Sequence, residues 1–226
     1  MMAPKIPVMT GVPTIAILMI ATIALGQGQT VKPTGAPGMT PAEEARRTGG
    51  VQPFTHADVR FMSGMIGHHA QAIAMAAWAK SHDASPSVQT LCERIRVSQT
   101  DEIKYMQSWL AERHQSVPEP DPRGVSMPGM DHPMLMPGML TAEQMAELDR
   151  ARGVRFDRAF LVDMIAHHRG ALQMVQELMS SPGSGQDNNV FAYASDVASG
   201  QSAEIDRMNH MLSLIPAAAG HTGAAH

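Results

Sequence analysis

The chain predicts an all-α fold built from two copies of one helical hairpin, and three observations carry that expectation. A motif occurs twice: FMSGMIGHHAQAIAM at 61–75 and FLVDMIAHHRGALQM at 160–174. At a constant offset of 99 they match in Phe61/Phe160, Met65/Met164, Ile66/Ile165, His68/His167, His69/His168, Ala72/Ala171 and Met75/Met174. Downstream, QTDEIKYM at 99–106 and QSAEIDRM at 201–208 repeat at an offset of 102, with Gln, Glu, Ile and Met in register. Finally, apolar residues recur at helical spacing through both copies, and no segment alternates with period two between turn residues, so no sheet is expected.

Residues 1–26 read as an export signal. Lys5 supplies the positive n-region, Val12–Leu25 is an uncharged apolar run, and Ala24-Leu25-Gly26 has the small-x-small pattern of a cleavage site. The run falls short of the ~20 residues that a membrane-spanning helix needs. Residues 27–54, rich in Gly, Pro and Thr, are expected to form a flexible tether. The bundle should occupy 55–214: repeat 1 at 55–114, a loop at 115–140 and repeat 2 at 141–214.

Within repeat 1, Phe61, Met65, Ile66, His69, Ala72, Ile73 and Ala76 keep helical spacing, predicting a helix over 56–81 that stops before Pro86. A second helix is expected over 86–114, its inner face carrying Val88, Leu91, Cys92, Ile95, Gln99, Glu102, Ile103, Met106, Trp109 and Leu110. Six prolines and three glycines bar a regular element from 115–140. Thr141, with Gln144 placed for a capping box, opens a helix over 142–180 that would bend at Gly153. The last helix is expected over 187–214, ending before Pro216, with a disordered tail at 215–226. Two hairpins joined by one long connection make a four-helix bundle with a single crossover, as in ferritin-like folds. Each hairpin alone exposes an apolar stripe, so the two should pack face to face about an approximate twofold axis.

Composition narrows the function. A formal charge of -4 and a pI near 6.2 leave no footprint for nucleic acid. The single cysteine, Cys92, excludes an intramolecular disulfide framework and a Cys-rich zinc or iron–sulfur site, and its apolar helix position reads as inert burial. Twenty methionines exceed what gap-filling in a core requires.

On one helix Met65, His68, His69, Ala72 and Met75 fall within about 120° of one face, and Met164, His167, His168, Ala171 and Met174 do so on its counterpart. Met106 and Met208 face the same interior from the second helix of each hairpin. Thioethers suit Cu(I), and imidazole takes either oxidation state, so the set points to copper, Cu(I) preferred and Cu(II) accepted. Hard cations would need carboxylate clusters that this sequence lacks. Glu102 and Glu204 stand where they could orient the imidazoles as outer acceptors. A methionine stripe is ordinarily core and a lone helix histidine ordinarily a satisfied polar group. Adjacent histidines at matched inward positions in two repeats are different, because each buried imidazole needs a partner. The loop adds Met127, Met130, His132, Met134, Met136 and Met139 within thirteen residues, thioethers that could wrap Cu(I) from a Pro/Gly-rich backbone.

The FMxxMIxHHxxAIxM block, its copy DMIAHHRGALQM and the trailing QxxEIxxM segments resemble the DUF305 family of exported bacterial proteins over about residues 55–213. The resemblance implies a ferritin-like four-helix bundle. From the family's copper-binding members it also implies periplasmic or secreted copper binding through Met65, His68, His69, Met75 and Met106 and their partners Met164, His167, His168, Met174 and Met208. The MPGM pieces at 127–130 and 136–139 look like the family's Met-rich loop. The leading expectation is a non-catalytic envelope protein that sequesters copper or hands it on, with a copper transporter or chaperone as partner and membrane contact only through a retained N-terminal segment. Two rivals stand beside it. One is a metal-free helical interaction module. The other is a ferritin-like di-metal oxidoreductase, disfavoured because no Glu-x-x-His lies in the expected bundle.

Overall fold

The computed structural model describes residues 52–126 and 133–216, and the expected signal segment, nearly all of the tether and the tail from 217 lie outside them. Five helices follow in order: α1 His56–Ala77, α2 Pro86–Glu112, α3 Ala142–Arg150, α4 Val154–Ser180 and α5 Asn188–Leu214. Among the described residues the only extended pairing is an isolated antiparallel bridge between Val125 and Met134. No helix among them is long and apolar enough to cross a membrane.

Side chains fix the helix starts. Thr55 and Asp58 close a capping box on α1, and Thr141 and Gln144 close the expected one on α3. Pro86 opens α2, where its missing N–H costs nothing. Asp187 accepts from the N–H groups of Asn189 and Val190 at the start of α5.

The expected single helix over 142–180 is two. Gly153 adopts φ 57° and ψ -135°, far from helical values and open mainly to glycine, so the chain breaks there rather than bending. The turn after α1 holds the break: the Gly153 N–H donates to the His82 carbonyl at 2.8 Å. The His82 ring in turn lies 2.9 Å from the Asp149 carbonyl. That turn also ends α1 at Ala77 instead of 81.

Helix α1 packs along α2, α4 along α5, and α1 against α4. The core falls into two apolar clusters. On α1 one takes residues from Phe61 to Ala70 and the other from Ala72 to Ala76. On α4 the order is reversed, Phe156 to Ile165 in the second cluster and Ala171 to Leu178 in the first. Both histidine pairs sit at the boundary. Each cluster holds the equivalent three thioethers: Met65, Met106 and Met174 in one, Met164, Met208 and Met75 in the other. Burial matches along α2 and α5 as well, at the 102-residue offset, in Val88/Val190, Leu91/Tyr193, Cys92/Ala194 and Ile95/Val197.

The 99-residue offset reaches one pair beyond the motif, Asp58/Asp157, and the two do the same job. Asp58 accepts from the Gly185 N–H at 2.8 Å, in the turn of the second hairpin. Asp157 accepts from the Ser85 N–H at 3.1 Å, in the turn of the first. Each hairpin thus pins the other's turn. Residues 52–54, expected in the tether, are also engaged: Phe54 packs edge-on against Trp109, and the Gln52 side chain accepts from the Asn188 N–H.

Candidate metal centre

The helical register that buries Phe61, Met65 and Met75 carries His68 and His69 inward with them, and α4 does the same for His167 and His168. All four imidazoles are at most 1% exposed. The equivalent residues His68 and His167 meet ring to ring, with centroids 3.8 Å apart and planes tilted by 40°. His69 and His168 flank them, each 6.3 Å from its chain neighbour.

Glutamates from the second helix of each hairpin hold the flanking rings. His69 Nε2 lies 2.7 Å from Glu102 Oε2, and His168 Nε2 lies 2.7 Å from Glu204 Oε2. A carboxylate only accepts, so in both rings the proton sits on Nε2 and the neutral form leaves Nδ1 with a bare lone pair. His68 Nε2 lies 3.1 Å from the Pro137 carbonyl, another pure acceptor, so this ring has the same tautomer. Burial drives the His68 pKa from 6.5 down to about 3, with the neighbouring His69 adding to the shift. The His167 pKa is also lowered well below the ordinary value by burial, with His68 next in effect.

The result is an unusual inventory of polar atoms. The Nδ1 atoms of His68, His69 and His168 and both ring nitrogens of His167 are buried without a hydrogen-bond partner. Each such orphan costs about 1–3 kcal/mol unless something binds it. Nδ1 lone pairs backed by Nε2–H···carboxylate contacts are the form in which imidazole ligates a metal. The thioethers of Met65, Met106 and Met174 are buried in one apolar cluster and those of Met75, Met164 and Met208 in the other. Among the described residues no group of three or more His, Cys, Asp or Glu side chains is arranged to hold an ion. Imidazole and thioether are ligand types that suit a soft monovalent ion.

The expected loop ligands divide. Met127, Met130 and His132 lie outside the described residues. Met134 is exposed, Met136 half-buried and Met139 buried, its sulfur accepting from the Met136 N–H at 3.3 Å. Glu102 and Glu204 stay partly open to solvent while their histidines are sealed.

Three participants escape sequence reasoning. Tyr193 places its hydroxyl 3.2 Å from His69 Nε2 and 3.4 Å from Glu102 Oε2. Its counterpart at the 102-residue offset is Leu91, so only the His69 side gains a phenol. Gln71 clasps the crossover: its amide donates to the carbonyls of Pro122 and Leu140, and its oxygen accepts from the Leu140 N–H at 2.6 Å. Pro137 reaches His68 because α4 carries glycine at Gly170, where a Cβ would lie 1.9 Å from the Pro137 oxygen. Of the three, only Tyr193 had a signal, as the polar member of an otherwise apolar matched pair.

Residues 58–212 match the family described as Domain of unknown function (DUF305). A DUF305 protein of Streptomyces coelicolor, described as a candidate secreted protein, is 28% identical; the alignment covers 73% of this chain and 97% of that one, with a TM-score of 0.59. A DUF305 fragment from Deinococcus radiodurans is also 28% identical, over 71% of this chain and 98% of its own, at a TM-score of 0.59. CopM in its Cu(I)-bound form is 27% identical over 71% of this chain and 97% of its own, at a TM-score of 0.52. CopM has also been solved with Cu(II) and with silver. A shorter likeness, 39% identity over 56 residues, links the chain to an uncharacterised protein of Acanthamoeba polyphaga mimivirus and spans 37% of that protein's length. With the family match running through both hairpins and their paired histidines, the chain belongs to the DUF305 family.

Proposed function

We propose that this chain is an exported, non-catalytic copper-binding protein of the cell envelope, which sequesters copper or hands it on. In this reading the two hairpins form a ferritin-like four-helix bundle whose histidine layer takes Cu(I), with Cu(II) accepted by imidazole alone. The observation that carries it is the set of orphaned imidazole nitrogens at the centre of the core, between one cluster with four buried thioethers and another with three. The likeness to CopM, which binds copper, supports the choice of metal. When bound, the ion would supply the missing partner for those nitrogens. The chain's own part is to keep the His68 and His167 rings neutral, fix the tautomers of His69, His168 and His68 through Glu102, Glu204 and Pro137, and exclude water. Membership of a family with a candidate secreted protein supports export. A copper transporter or chaperone remains the natural partner.

A metal-free interaction module draws on the hydrogen bonds that already satisfy Nε2 of His68, His69 and His168. Competition against a chromogenic Cu(I) chelator at pH 7.5 separates the two. Replacing His68, His69, His167 and His168 by Gln should reduce both Cu(I) and Cu(II) uptake, and changing Met127, Met130, Met134, Met136 and Met139 to Leu should weaken Cu(I) alone. If neither variant differs from the parent, the copper reading fails and the metal-free one stands.

A further inference from the structure

The repeat makes the two histidine–glutamate pairs equivalent, and one residue breaks the equivalence. His69 meets Glu102 and His168 meets Glu204 at the same length, 2.7 Å between Nε2 and Oε2. Tyr193 on α5 belongs to the apolar cluster of Met65, Ile103 and Met106, and Leu91 on α2 to that of Met164, Ile205 and Met208. These surroundings correspond through the repeat, so one position carries a phenol in the first cluster and hydrocarbon in the second. The Tyr193 ring is buried against Phe61 and Tyr105, with centroids 6.0 and 5.5 Å away. Its hydroxyl lies 3.2 Å from His69 Nε2 and 3.4 Å from Glu102 Oε2. Nε2 carries the ring proton that it donates to the carboxylate, so it has no lone pair to accept another. The phenol proton therefore goes to Glu102 Oε2. That oxygen takes two side-chain donors, whereas Glu204 Oε2 takes only His168 among the described residues. Solvent acts in the same sense, since the Glu102 side chain is 34% exposed and that of Glu204 22%.

A carboxylate that accepts from one nitrogen of an imidazole raises the ligand strength of the other. The gain depends on how much of its charge reaches the Nε2–H bond, and sharing Oε2 with a phenol divides that charge. A second effect of the hydroxyl, holding the ring in place, is the smaller one, because the 2.7 Å bond and full burial already fix His69. We propose that Tyr193 is a positioning residue that makes the two ends of the histidine layer unequal, leaving Nδ1 of His69 a weaker ligand atom than Nδ1 of His168. This rests on the copper reading of the layer. His168 is then the end that holds a soft ion, and His69 the end that yields it first to a competing ligand. A scaffold built from two equivalent halves thereby gains a direction for ligand exchange, with no proton or electron transferred.

The test uses the full chain. In metal-free protein labelled with ¹⁵N-histidine, the Nε2–H proton of His69 should be less deshielded than that of His168, because its hydrogen bond is the weaker. Tyr193→Phe keeps the ring and removes only the hydroxyl, and it should bring the two signals together. Tyr105→Phe, which loses a hydroxyl directed at the Asn189 carbonyl, should leave both where they were. In anaerobic competition against a chromogenic Cu(I) chelator, Tyr193→Phe should bind Cu(I) about three- to tenfold more tightly, the scale of one hydrogen bond. A residue that served packing alone would weaken binding when truncated or leave it unchanged. Signals that coincide in the parent, signals that stay apart in Tyr193→Phe, or a Cu(I) affinity that falls or holds in that variant overturn the proposal. If no protein takes up Cu(I) while the two signals converge as expected, the copper reading falls and the action of Tyr193 on Glu102 stands.

Discussion

Neutral imidazoles sealed in a core tie stability to pH in a direction that the pKa shifts fix. His68 titrates near 6.5 when unfolded and near 3 when folded, chiefly because of burial, and His167 is also lowered well below its ordinary value. Below pH 6.5 the unfolded chain takes up protons that the folded chain refuses. The stabilisation is therefore complete above pH 6.5 and is lost as pH falls towards 3, at about 1.4 kcal/mol per pH unit for each such histidine. Between pH 6.5 and 5 that is on the order of 2 kcal/mol for His68, a large share of a typical domain's stability. Asp163 works the other way, since burial and the nearby Glu147 raise its pKa to about 6, so that its contribution is lost as pH rises through that value. The comparison of choice is therefore parent against His68→Gln. Urea midpoints of the metal-free parent should fall from pH 7 to 5, and those of the variant should fall less. Equal slopes would show that His68 is not held neutral. Burial also pushes the Cys92 thiol up to about 12, which keeps it an unreactive core residue, as its apolar position suggested.

At the scale of elements, the inward faces of the two histidine helices and every helix start except that of α4 were legible because each follows from local spacing. Helical periodicity places His68 beside Met65 and Met75 on one face, and Thr141 with Gln144 writes its cap in three residues. What the sequence did not reveal depends on approach between distant segments. Gly153 signalled a bend, yet whether it breaks the helix depends on the His82 carbonyl lying ready to take its N–H. Gly170 gave no signal, because a glycine inside a helix shows its purpose only when another backbone lies on it. That purpose predicts a strong effect. A Cβ at Gly170 would lie 1.9 Å from the Pro137 oxygen and 2.7 Å from the Gly138 Cα, and a backbone segment cannot step aside as a side-chain tip can. Gly170→Ala should therefore lift the crossover from α4, break the Pro137–His68 hydrogen bond, and destabilise by about 1–3 kcal/mol despite alanine's better helix propensity. Gly200, with no atom within 4 Å of its Cβ position, is the control: Gly200→Ala should gain up to about 1 kcal/mol. Chemical denaturation of the two variants decides the point, and equal midpoints would mean that the crossover does not press on Gly170.

At the scale of the whole molecule, the repeat is more than a record of duplication, because the halves are joined by interactions each contributes once. The histidine layer is one, with His68 meeting His167 across the boundary of the two clusters. The crossed ties of Asp58 to Gly185 and Asp157 to Ser85 are the other. Both aspartates are nearly fully buried, and all their contacts with these turns accept backbone N–H groups. Asp→Asn at either position replaces one accepting oxygen by an amide donor and removes the charge that strengthens the bond, a loss of about 1–3 kcal/mol. Asp58 also closes the capping box of α1 through Thr55, whereas Asp157 has no such second partner, so Asp58→Asn should be the more costly. The two ties lie in different turns and share no residue, so the losses should add in the double variant to within about 0.5 kcal/mol. Urea unfolding of the two single variants and the double provides the cycle. A loss in the double variant well below the sum would mean that one tie already fails when the other is cut, so that the hairpins lock together as a single unit rather than through two independent clasps.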